Sequence, residues 1–410
     1  MMKKYKVSII GTGYVGLPLS YAIANKGFEV QGIDIDSNMH KKLFYNDKLH
    51  GLNRKQLDEL VNSNFDISSD FSKISDSNVI IICVPTPLKD GIPDTSYIET
   101  ACNSIYPYLK KNDLVILEST SYPGTTREIV QRILEKSNLK GSVDFKLAFS
   151  PERLMPGNKE WPITKIDKVV GGIDPESTYV ASEFYKRILD SNIICVSSCE
   201  CAEMVKLLEN TYRYINLAFI FEFSMLCENM NLNSFEIIDA ASTKPIGFSA
   251  FYPSLGIGGH CIPVDPMFLN KKAEELWHPL SSIDNAKKVL ENYDNYNINK
   301  IISKMDNRKN ILVIGIAYKN GIDDLRESPS LKLISNLKKL DYNVKYYDAL
   351  IKKVTINEEI CESVDDIFRE IDQSDLIVYV NYQSEEINNY LRNAAKEIFD
   401  TQNFLKENEK

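Results

Sequence analysis

The stretch with the clearest chemical potential is Gly256–Asp265, which reads GIGGHCIPVD. Three glycines precede Cys261, so the backbone can wrap closely around a substrate and present the thiol. A cysteine that attacks carbon must ionise, and a nearby ammonium group favours the thiolate. Asp265 adds a carboxylate four residues later, while His260, a lone histidine beside a glycine loop, is assigned a structural role. The pattern predicts a thiol nucleophile, and the alternative is one more buried thiol.

Lys206 is the best candidate for the ammonium group. It lies between Glu200 and Asn231, a stretch without proline or glycine, where Glu203, Lys206 and Asn210 fall on one helical face. At 1.5 Å per residue the predicted helix is on the order of 40 Å long. So long and apolar a helix usually packs against a second subunit. The sequence therefore predicts a homodimer through this helix, with core packing alone as the alternative.

A glycine motif near the start of the chain indicates a dinucleotide site. Gly11, Gly13 and Gly16 follow a short apolar strand and open a helix, the context that a G-x-G-x-x-G fingerprint requires. The next strand ends in Asp34, where a carboxylate can accept hydrogen bonds from a ribose diol and repel a 2′-phosphate. We therefore expect NAD rather than NADP. The alternative is a glycine turn with a surface aspartate.

The last third of the chain repeats the strand and helix pattern without this fingerprint. Its first strand runs into Gly315-Ile-Ala-Tyr-Lys319. Lys319 and Arg326 are cationic donors suited to a diphosphate, so a nucleotide held by side chains would fit. Two ordinary surface cations are the alternative.

The elements that must position these residues are strands alternating with helices. Buried strands are predicted at 6–10, 28–34, 79–84, 113–117 and 145–149, and again at 311–318, 344–348 and 376–380. Helical stretches between them imply crossovers and a parallel sheet covered on both faces. Ser328-Pro329 is typical of a helix start, with serine as N-cap and proline at the first helical position.

Composition narrows the class of protein. The 410 residues carry 48 Lys+Arg against 57 Asp+Glu, a net charge of -9 that disfavours a nucleic-acid binder or an anionic-membrane anchor. No secretory signal precedes the first strand, and the apolar run at 217–221 is far shorter than the roughly 20 residues of a membrane span. We expect a cytoplasmic protein with reduced cysteines and no metal site.

Seven motifs in order along the chain carry a resemblance to a known family. They are GTGYVG at 11–16, VPTP at 84–87, Ser119-Thr120 with PGTT at 123–126, PER at 151–153, EMVKLLEN at 203–210, GGHCIPVD at 258–265, and the stretch from Lys319 to Pro329. The chain resembles the UDP-glucose/GDP-mannose dehydrogenase family, NAD-dependent enzymes that oxidise C6 of a nucleotide sugar twice.

The resemblance implies an α/β fold with two Rossmann-like, doubly wound parallel-sheet domains joined by a central long-helix region. The expected boundaries are 1–198 for the NAD-binding domain, 199–298 for the central dimerisation and catalytic region, and 299–410 for the UDP-binding domain. In bacteria the products of such enzymes usually feed capsule, O-antigen or other surface polysaccharides.

The resemblance also implies a mechanism. Cys261 attacks the C6 aldehyde to form a thiohemiacetal, which is oxidised to a thioester and then hydrolysed to the carboxylate. Lys206 and Asn210 would stabilise the oxyanions. Asp265, with Thr120 and Glu152, would orient and help deprotonate the water.

Ligand contacts are carried over from the family motifs position by position. The expected NAD contacts are Gly11, Gly13, Tyr14, Val15, Gly16, Asp34, Val84, Pro85, Thr86, Thr120, Glu152 and Arg326. The expected nucleotide-sugar contacts are Glu152, Arg153, Lys206, Asn210, Tyr252, Gly256, Gly259 and Lys319.

The sugar is the finest expectation. The stretches 151–157 and 243–253 resemble the branch that oxidises UDP-N-acetylhexosamines, and the second acid typical of the UDP-glucose branch is replaced by Pro156. UDP-N-acetylglucosamine is favoured over UDP-N-acetylmannosamine, and UDP-glucose is a further alternative. The chain departs from the usual family pattern at 38–40, 253–256 and 381–383, so adenosine and UDP contacts are expected to differ there.

Two rival functions belong to other classes. A single-hydride dehydrogenase of the 6-phosphogluconate or hydroxyacyl type also uses a Lys-Asn pair, but it needs no thiol. An inactive regulator that binds a nucleotide sugar or NAD should have lost at least one of Lys206, Asn210, Cys261 and Asp265, and all four are present.

Overall fold

The structure is a computed structural model that describes residues 5–154, 162–306 and 308–406. The chain forms two compact units. The first unit comprises residues up to Glu209 together with Met267–His278. The second comprises Asn210–Pro266 and the residues from Pro279 onward.

The first unit is an α/β domain. Its strands are β1 Lys6–Ile10, β2 Glu29–Ile33, β3 Lys48–Leu49, β4 Leu52–Asn53, β5 Phe65–Ser68, β6 Val79–Ile82, β7 Leu88–Lys89, β8 Ile92–Pro93, β9 Leu114–Leu117, β10 Lys146–Phe149, β11 Lys168–Gly172 and β12 Ile193–Cys195. Its helices are α1 Gly16–Asn25, α2 Met39–Tyr45, α3 Arg54–Val61, α4 Ser96–Ile105, α5 Arg132–Leu134 and α6 Pro175–Lys186.

The second unit combines helices with a smaller sheet. Helix α7, Cys199–Asn229, begins in the first unit and continues into the second, and α9, Asp265–Glu275, begins in the second and continues into the first. The remaining elements are α8 Ser234–Ser242, α10 Ser281–Met305, β13 Asn310–Ile314, α11 Pro329–Lys339, β14 Asn343–Tyr347, β15 Lys353–Ile356, β16 Glu359–Glu362, α12 Ile367–Gln373, β17 Leu376–Tyr379, α13 Glu385–Asn393 and β18 Glu397–Asp400.

The large sheet has the strand order β12-β11-β10-β9-β6-β1-β2-β5. Its central strands are apolar on both faces: Ile81 points into one core, and its neighbours Ile80 and Ile82 point into the other. That pattern explains why these strands read as continuous apolar runs. All pairings are parallel except β10 with β11, which is antiparallel. The predicted doubly wound α/β fold is confirmed. The antiparallel pairing of β10 with β11 is the one departure from the parallel sheet that the sequence predicts.

The small sheet has the parallel order β14-β13-β17-β18. Its first strand and turn repeat those of the large sheet. Gly11 after β1 and Gly315 after β13 both have φ of +88°. The Gly11 amide donates to the carbonyl of Ile33 and the Gly315 amide to that of Tyr347, each at 2.8 Å. Both sheets therefore use the same strand-to-turn geometry, although only the first carries the glycine fingerprint.

Two sequence signals for helix ends are confirmed. Helix α1 ends before Gly27, which has φ of +82° and donates its amide to the carbonyl of Ala24. Ser328 caps α11 by accepting a hydrogen bond from the Leu331 amide, with Pro329 at the first position. The predicted long central helix is confirmed as α7, which spans 31 residues.

Candidate functional site

Asp34 is held against the turn that follows β1. Its Oδ2 accepts hydrogen bonds from the amide and the hydroxyl of Thr12, at 2.7 and 2.8 Å. Its Oδ1 accepts from the amide of Asp36 at 3.0 Å. The carboxylate is half-buried and fixed in one orientation beside the glycine turn. In this position the carboxylate can accept hydrogen bonds from the hydroxyls of a ribose.

The glycine turn leaves room for a pyrophosphate. A Cβ added at Gly13 meets nothing within 4 Å, whereas one at Gly16 would lie 1.9 Å from the carbonyl oxygen of Gly11. Gly16 thus lets α1 pack closely on the turn, and the helix N-terminus can donate its amides to phosphates. These residues fit the NAD that the fingerprint predicts.

A matching position in the second unit has a different use. Asp348 directly follows β14 as Asp34 directly follows β2, but Asp348 is only 2% exposed. Its carboxylate accepts from the amides of Ile316 at 2.9 Å, Leu350 at 2.9 Å and Ile351 at 3.2 Å. Because this carboxylate accepts hydrogen bonds from backbone amides, Asp348 stabilises the turns around it.

The other residues expected to contact NAD in the first unit also follow strand ends. Val84, Pro85 and Thr86 come after β6, and the carbonyl of Val84 accepts a hydrogen bond from the Ser119 hydroxyl at 2.8 Å. Tyr14 lies in the glycine turn, with its ring 4.8 Å from that of His50. The hydrogen bond from Ser119 fixes the strand end that precedes Pro85 and Thr86.

Lys206 and Glu152 form a buried ion pair. The Lys206 Nζ lies 3.8 Å from Glu152 Oε2, and the two side chains are 6% and 12% exposed. Thr120, half-buried, follows β9 at the same carboxyl edge of the large sheet. The first unit therefore contributes an ammonium, a carboxylate and a hydroxyl from the predicted catalytic set.

A second buried ion pair supports the loops that carry Glu152 and Thr120. The Lys168 Nζ lies 2.9 Å from Glu118 Oε1, and these side chains are 7% and 0% exposed. The same ammonium donates to the carbonyl of Pro151 at 3.1 Å. Glu118 precedes Thr120 by two residues and Pro151 directly precedes Glu152, so the pair anchors both loops. Nothing in the sequence pointed to this pair, since neither residue lies in the chemistry-bearing part of a motif.

Arg153, expected to contact the substrate, is already engaged within the first unit. Its guanidinium nitrogens lie 2.6 and 3.3 Å from the Glu209 carboxylate, and another donates to the carbonyl of Asp167 at 2.6 Å. These contacts fix the segment after Glu152. Pro156 and Gly157, which entered the prediction of the sugar, lie outside the described residues.

The thiol loop of the second unit packs against the segment between β13 and α11. The Gly259 amide donates to the carbonyl of Arg326 at 2.9 Å. Gly259 has φ of +86°, and a Cβ there would lie 2.7 Å from the ring of Tyr318. Gly259 therefore allows a close approach between this loop and the Tyr318 ring. Cys261 is half-buried, and its carbonyl accepts the Asp265 amide at 2.8 Å as α9 begins.

Asn210 and Asp265 are in direct contact within the second unit. The Asn210 Nδ2 donates to Asp265 Oδ2 at 2.5 Å. Asp265 is 2% exposed and Asn210 is half-buried. The contact joins helix α7 to the first residue of α9, the helix that Cys261 precedes.

The cations predicted for a diphosphate lie on the loop between β13 and α11. Lys319 is half-buried, and burial followed by the nearby guanidinium of Arg213 lowers its pKa. Arg326 forms a bidentate ion pair with buried Asp324, with Nε–Oδ1 and Nη2–Oδ2 distances of 3.0 and 2.6 Å. Like charges placed together suit an anionic ligand. Arg213, which lies three residues after Asn210 on α7, could not be recognised from the sequence.

The two remaining substrate residues lie on the loop before the thiol. Tyr252 is exposed, donates its hydroxyl to the Asp239 carboxylate at 2.8 Å, and stacks on Phe235 with ring centres 6.1 Å apart. A Cβ on Gly256 would lie 3.0 Å from Pro329. Contacts with other residues of the second unit therefore hold both ends of this loop.

Three domain profiles of the UDP-glucose/GDP-mannose dehydrogenase family match the chain: the NAD binding domain at 5–189, the central domain at 200–292 and the UDP binding domain at 312–407. The chain belongs to this family. It is accordingly an NAD-dependent nucleotide-sugar dehydrogenase with an N-terminal NAD-binding and a C-terminal UDP-binding domain.

Similar proteins match this dehydrogenase over nearly all its length. A UDP-N-acetyl-D-mannosamine dehydrogenase of Pyrococcus horikoshii is 31% identical, over 98% of this chain and 96% of its own. A UDP-N-acetyl-D-glucosamine 6-dehydrogenase of Pseudomonas aeruginosa is 33% identical, over 85% and 83%. The solved structure of the Pyrococcus horikoshii UDP-D-ManNAc dehydrogenase aligns with a TM-score of 0.89 at 30% identity, covering 98% of this chain and 96% of that one.

Within the described residues, no helix of the dehydrogenase combines the length and the apolar character needed to cross a bilayer.

Proposed function

We propose that this dehydrogenase oxidises the C6 alcohol of a UDP-N-acetylhexosamine to the carboxylate, using two NAD per sugar and a covalent intermediate on Cys261. The observation that carries the proposal is the paired arrangement of the predicted catalytic groups. Lys206 is paired with Glu152 in one unit, and Asn210 is bonded to Asp265, four residues after the thiol, in the other. Relatives named for UDP-N-acetylhexosamine substrates support the sugar class.

Bound NAD would supply the hydride acceptor for each of the two oxidations at C6. We assign Gly11, Gly13, Tyr14, Val15, Gly16, Asp34, Val84, Pro85, Thr86, Thr120, Glu152 and Arg326 to its binding. Asp34 supports the assignment best, because its carboxylate is held beside the glycine turn by Thr12.

The thiol then provides the covalent step. The Cys261 thiolate adds to the C6 aldehyde, forming a carbon–sulfur bond and an alkoxide that takes up a proton to give the thiohemiacetal. We assign Lys206 and Asn210 to that oxyanion, since one is a buried ammonium and the other an amide donor. The second oxidation leaves a thioester.

Hydrolysis returns the free thiol. Water adds to the thioester carbonyl, the carbon–sulfur bond breaks, and the carboxylate and thiolate are released. We assign Asp265 to accept the proton of this water, with Thr120 and Glu152 orienting it. Asp265 is buried, and its Oδ2 accepts a hydrogen bond from the Asn210 amide that holds the carboxylate in place.

Substrate contacts are proposed at Glu152, Arg153, Lys206, Asn210, Tyr252, Gly256, Gly259 and Lys319. Among these, Lys319 with neighbouring Arg213 suits the diphosphate. The sequence favours UDP-N-acetylglucosamine, while similar proteins are named for the glucosamine and the mannosamine substrates alike. Both sugars therefore enter the assay, with UDP-glucose as the third substrate.

We also propose a cytoplasmic homodimer through α7, with a product that feeds surface polysaccharide such as capsule or O-antigen. Large apolar side chains lie exposed at heptad-like spacing along this helix: Leu208, Tyr212, Phe219 and Leu226 are 51–65% exposed. A second copy of the chain would cover this stripe. Light scattering should give twice the chain mass, and Phe219→Glu should reduce it to one chain while Ile360→Glu, at another exposed apolar position, should not.

The boundaries at 198 and 298 are kept as proposed limits of three functional regions. The first coincides with the start of α7 at Cys199, and the second falls inside α10. Helix α10 thus joins the central region to the UDP-binding region without a break.

The deciding experiment measures NADH released per sugar consumed for the three UDP-sugars, with Cys261→Ser alongside. Two NADH per sugar, lost in the variant, would support the double oxidation, and the fastest substrate would identify the sugar. One NADH per sugar from an active Cys261→Ser variant would instead support a single-hydride dehydrogenase. No turnover with any sugar would favour the inactive regulator.

A further inference from the structure

Glu203 on α7 is a fully buried carboxylate with no role in the chemistry described above. Its Oε2 accepts a hydrogen bond from the Gly124 amide at 2.6 Å. Its Oε1 accepts from the amide of Thr126 at 2.8 Å and from the Thr126 hydroxyl at 2.6 Å. Three donors from one short segment therefore converge on this carboxylate.

The segment that supplies these donors is the start of a helix. A π-helical turn, Thr126–Gln131, leads directly into α5. Amides in the first turn of a helix have no partner within it and usually receive one from a preceding side chain. Here the side chain of Thr125 gives no such cap, because its hydroxyl donates to the carbonyl of Tyr122. Glu203 supplies the cap from a different helix.

This cap is strong because the carboxylate is buried. A buried charge is costly unless hydrogen bonds satisfy it, and removal of one partner leaves the others without theirs. The positive end of the helix dipole adds to the attraction. The contact therefore fixes the distance between α7 and the segment that begins at Gly124.

The two joined elements each carry a residue of the proposed site. Lys206 follows Glu203 by three residues, so it lies on the same face of α7. Thr120 precedes Gly124 by four residues. We infer that Glu203 is a positioning residue, which sets the place of the Lys206 ammonium relative to the Thr120 hydroxyl through its bonds to Gly124 and Thr126. The inference rests on the proposed function, since the catalytic roles of Lys206 and Thr120 belong to it.

A neighbouring ion pair provides a matched control. Glu200, one helical turn earlier on α7, pairs with Arg127 on the same capped segment at 2.8 Å. These side chains are 34% and 44% exposed, and exposed ion pairs contribute little to stability. Glu200→Gln therefore makes the same chemical change between the same two elements, without disturbing the buried cap.

The test compares Glu203→Gln with Glu200→Gln. In Glu203→Gln the introduced side-chain amide offers one acceptor and directs a donor at the backbone amides it must cap, so kcat is expected to fall at least tenfold. KM for NAD and for the UDP-sugar should stay within about threefold, because Thr120 and Lys206 are each only one of the many contacts assigned to NAD and to the sugar. Glu200→Gln should keep kcat within twofold of the wild type. Circular dichroism verifies that each variant is folded.

Thr126→Val is the second variant, since it keeps side-chain volume and removes only the hydroxyl donor to Glu203. Its kcat should fall about three- to tenfold, and combining it with Glu203→Gln should cost less than the product of the two effects, because both disturb one contact. This variant decides the matter if Glu203→Gln does not fold.

Values of kcat for Glu203→Gln and Thr126→Val within twofold of Glu200→Gln would overturn the positioning role. A parallel rise of KM for both ligands would also overturn it, by indicating a general structural defect. Wild-type protein without turnover would remove the proposed function and this inference with it. Wild-type turnover of two NADH per sugar with unaffected variants would remove only the inference.

Discussion

The side-chain amide of Asn210 donates a hydrogen bond to the carboxylate of Asp265 at 2.5 Å. One residue lies within the long helix α7 and the other begins α9, four residues after the proposed nucleophile Cys261. The bond uses one of the two N–H groups of Asn210. The second N–H is the group that we assign to the oxyanion, so this amide both orients the proposed base and supplies a donor.

Asn210→Asp keeps the shape of the side chain but removes the N–H groups on which both functions depend. It replaces the donor by a second carboxylate next to Asp265, and like charges at this distance repel. We expect kcat to fall by about 100-fold, the lower end of the effect of losing an oxyanion donor. NADH release at saturating ligands measures it. Asn216→Asp is the control, since that amide bonds only to the Tyr212 carbonyl of its own helix in the contacts described; equal losses in both variants would contradict the assignment.

Gly259→Ala should displace the thiol loop. The added Cβ would lie 2.7 Å from the Tyr318 ring, in a backbone conformation with φ of +86°. Gly247→Ala is a matched control, since Gly247 also has positive φ, +77°, but a Cβ there meets nothing within 4 Å. We expect kcat to fall at least tenfold in the first variant and less than threefold in the second. Similar losses would mean that backbone strain, not the approach of Tyr318, sets the loop.

Much of the fold could be predicted because its signals are local. The strands around Ile81 are continuous apolar runs, which only a sheet covered on both faces requires. The end of α1 at Gly27 and the start of α11 at Ser328 follow from backbone preferences of single residues. The antiparallel β11 escaped prediction, since its short run ends in two glycines and strand direction depends on distant partners.

The site was predicted less completely, because several of its contacts join residues far apart in the chain. The motifs identified Asp34 and Cys261, but not that Thr12 fixes the former or that Tyr318 packs on the loop of the latter. Arg213 had no signal at all, since a lone arginine on a polar helix face is common. The role of such residues becomes visible only in the folded structure, where partners that are distant in the sequence lie side by side.

Asp34→Ala should weaken NAD binding and relax the choice of cofactor. The change removes the proposed acceptor for the ribose hydroxyls and the charge that would repel a 2′-phosphate. We expect KM for NAD to rise at least tenfold with a smaller change in kcat, and NADP to become a measurable acceptor. Asp36 lies two residues after Asp34 and pairs with Lys42 at the surface. As a control, Asp36→Ala should leave the KM values for NAD and for the UDP-sugar near wild type. An unchanged KM for NAD in Asp34→Ala would refute the ribose assignment.

Glu203 should give the stability of the protein a distinctive pH dependence. Burial, opposed by the hydrogen bonds of Thr126 and Gly124 and assisted by nearby Glu200, raises the pKa of Glu203 to about 7 from an ordinary value of 4.5. Between these two values the folded state holds a proton that the unfolded chain has lost. The contribution of Glu203 to the free energy of unfolding therefore decreases as pH rises from about 4.5 to 7.

Glu203→Gln cannot take part in this titration, so it isolates the effect. Urea unfolding of both proteins at pH 5 and pH 8 measures the free energy of unfolding, and other titrating groups cancel in the difference between the two proteins. The advantage of wild type over the variant should be smaller at pH 8 than at pH 5. Glu200→Gln, whose partner Arg127 is at the surface, should not show this decrease. If the stability advantage of wild type over Glu203→Gln instead grows towards pH 8, the three donors favour the charged carboxylate more than burial disfavours it.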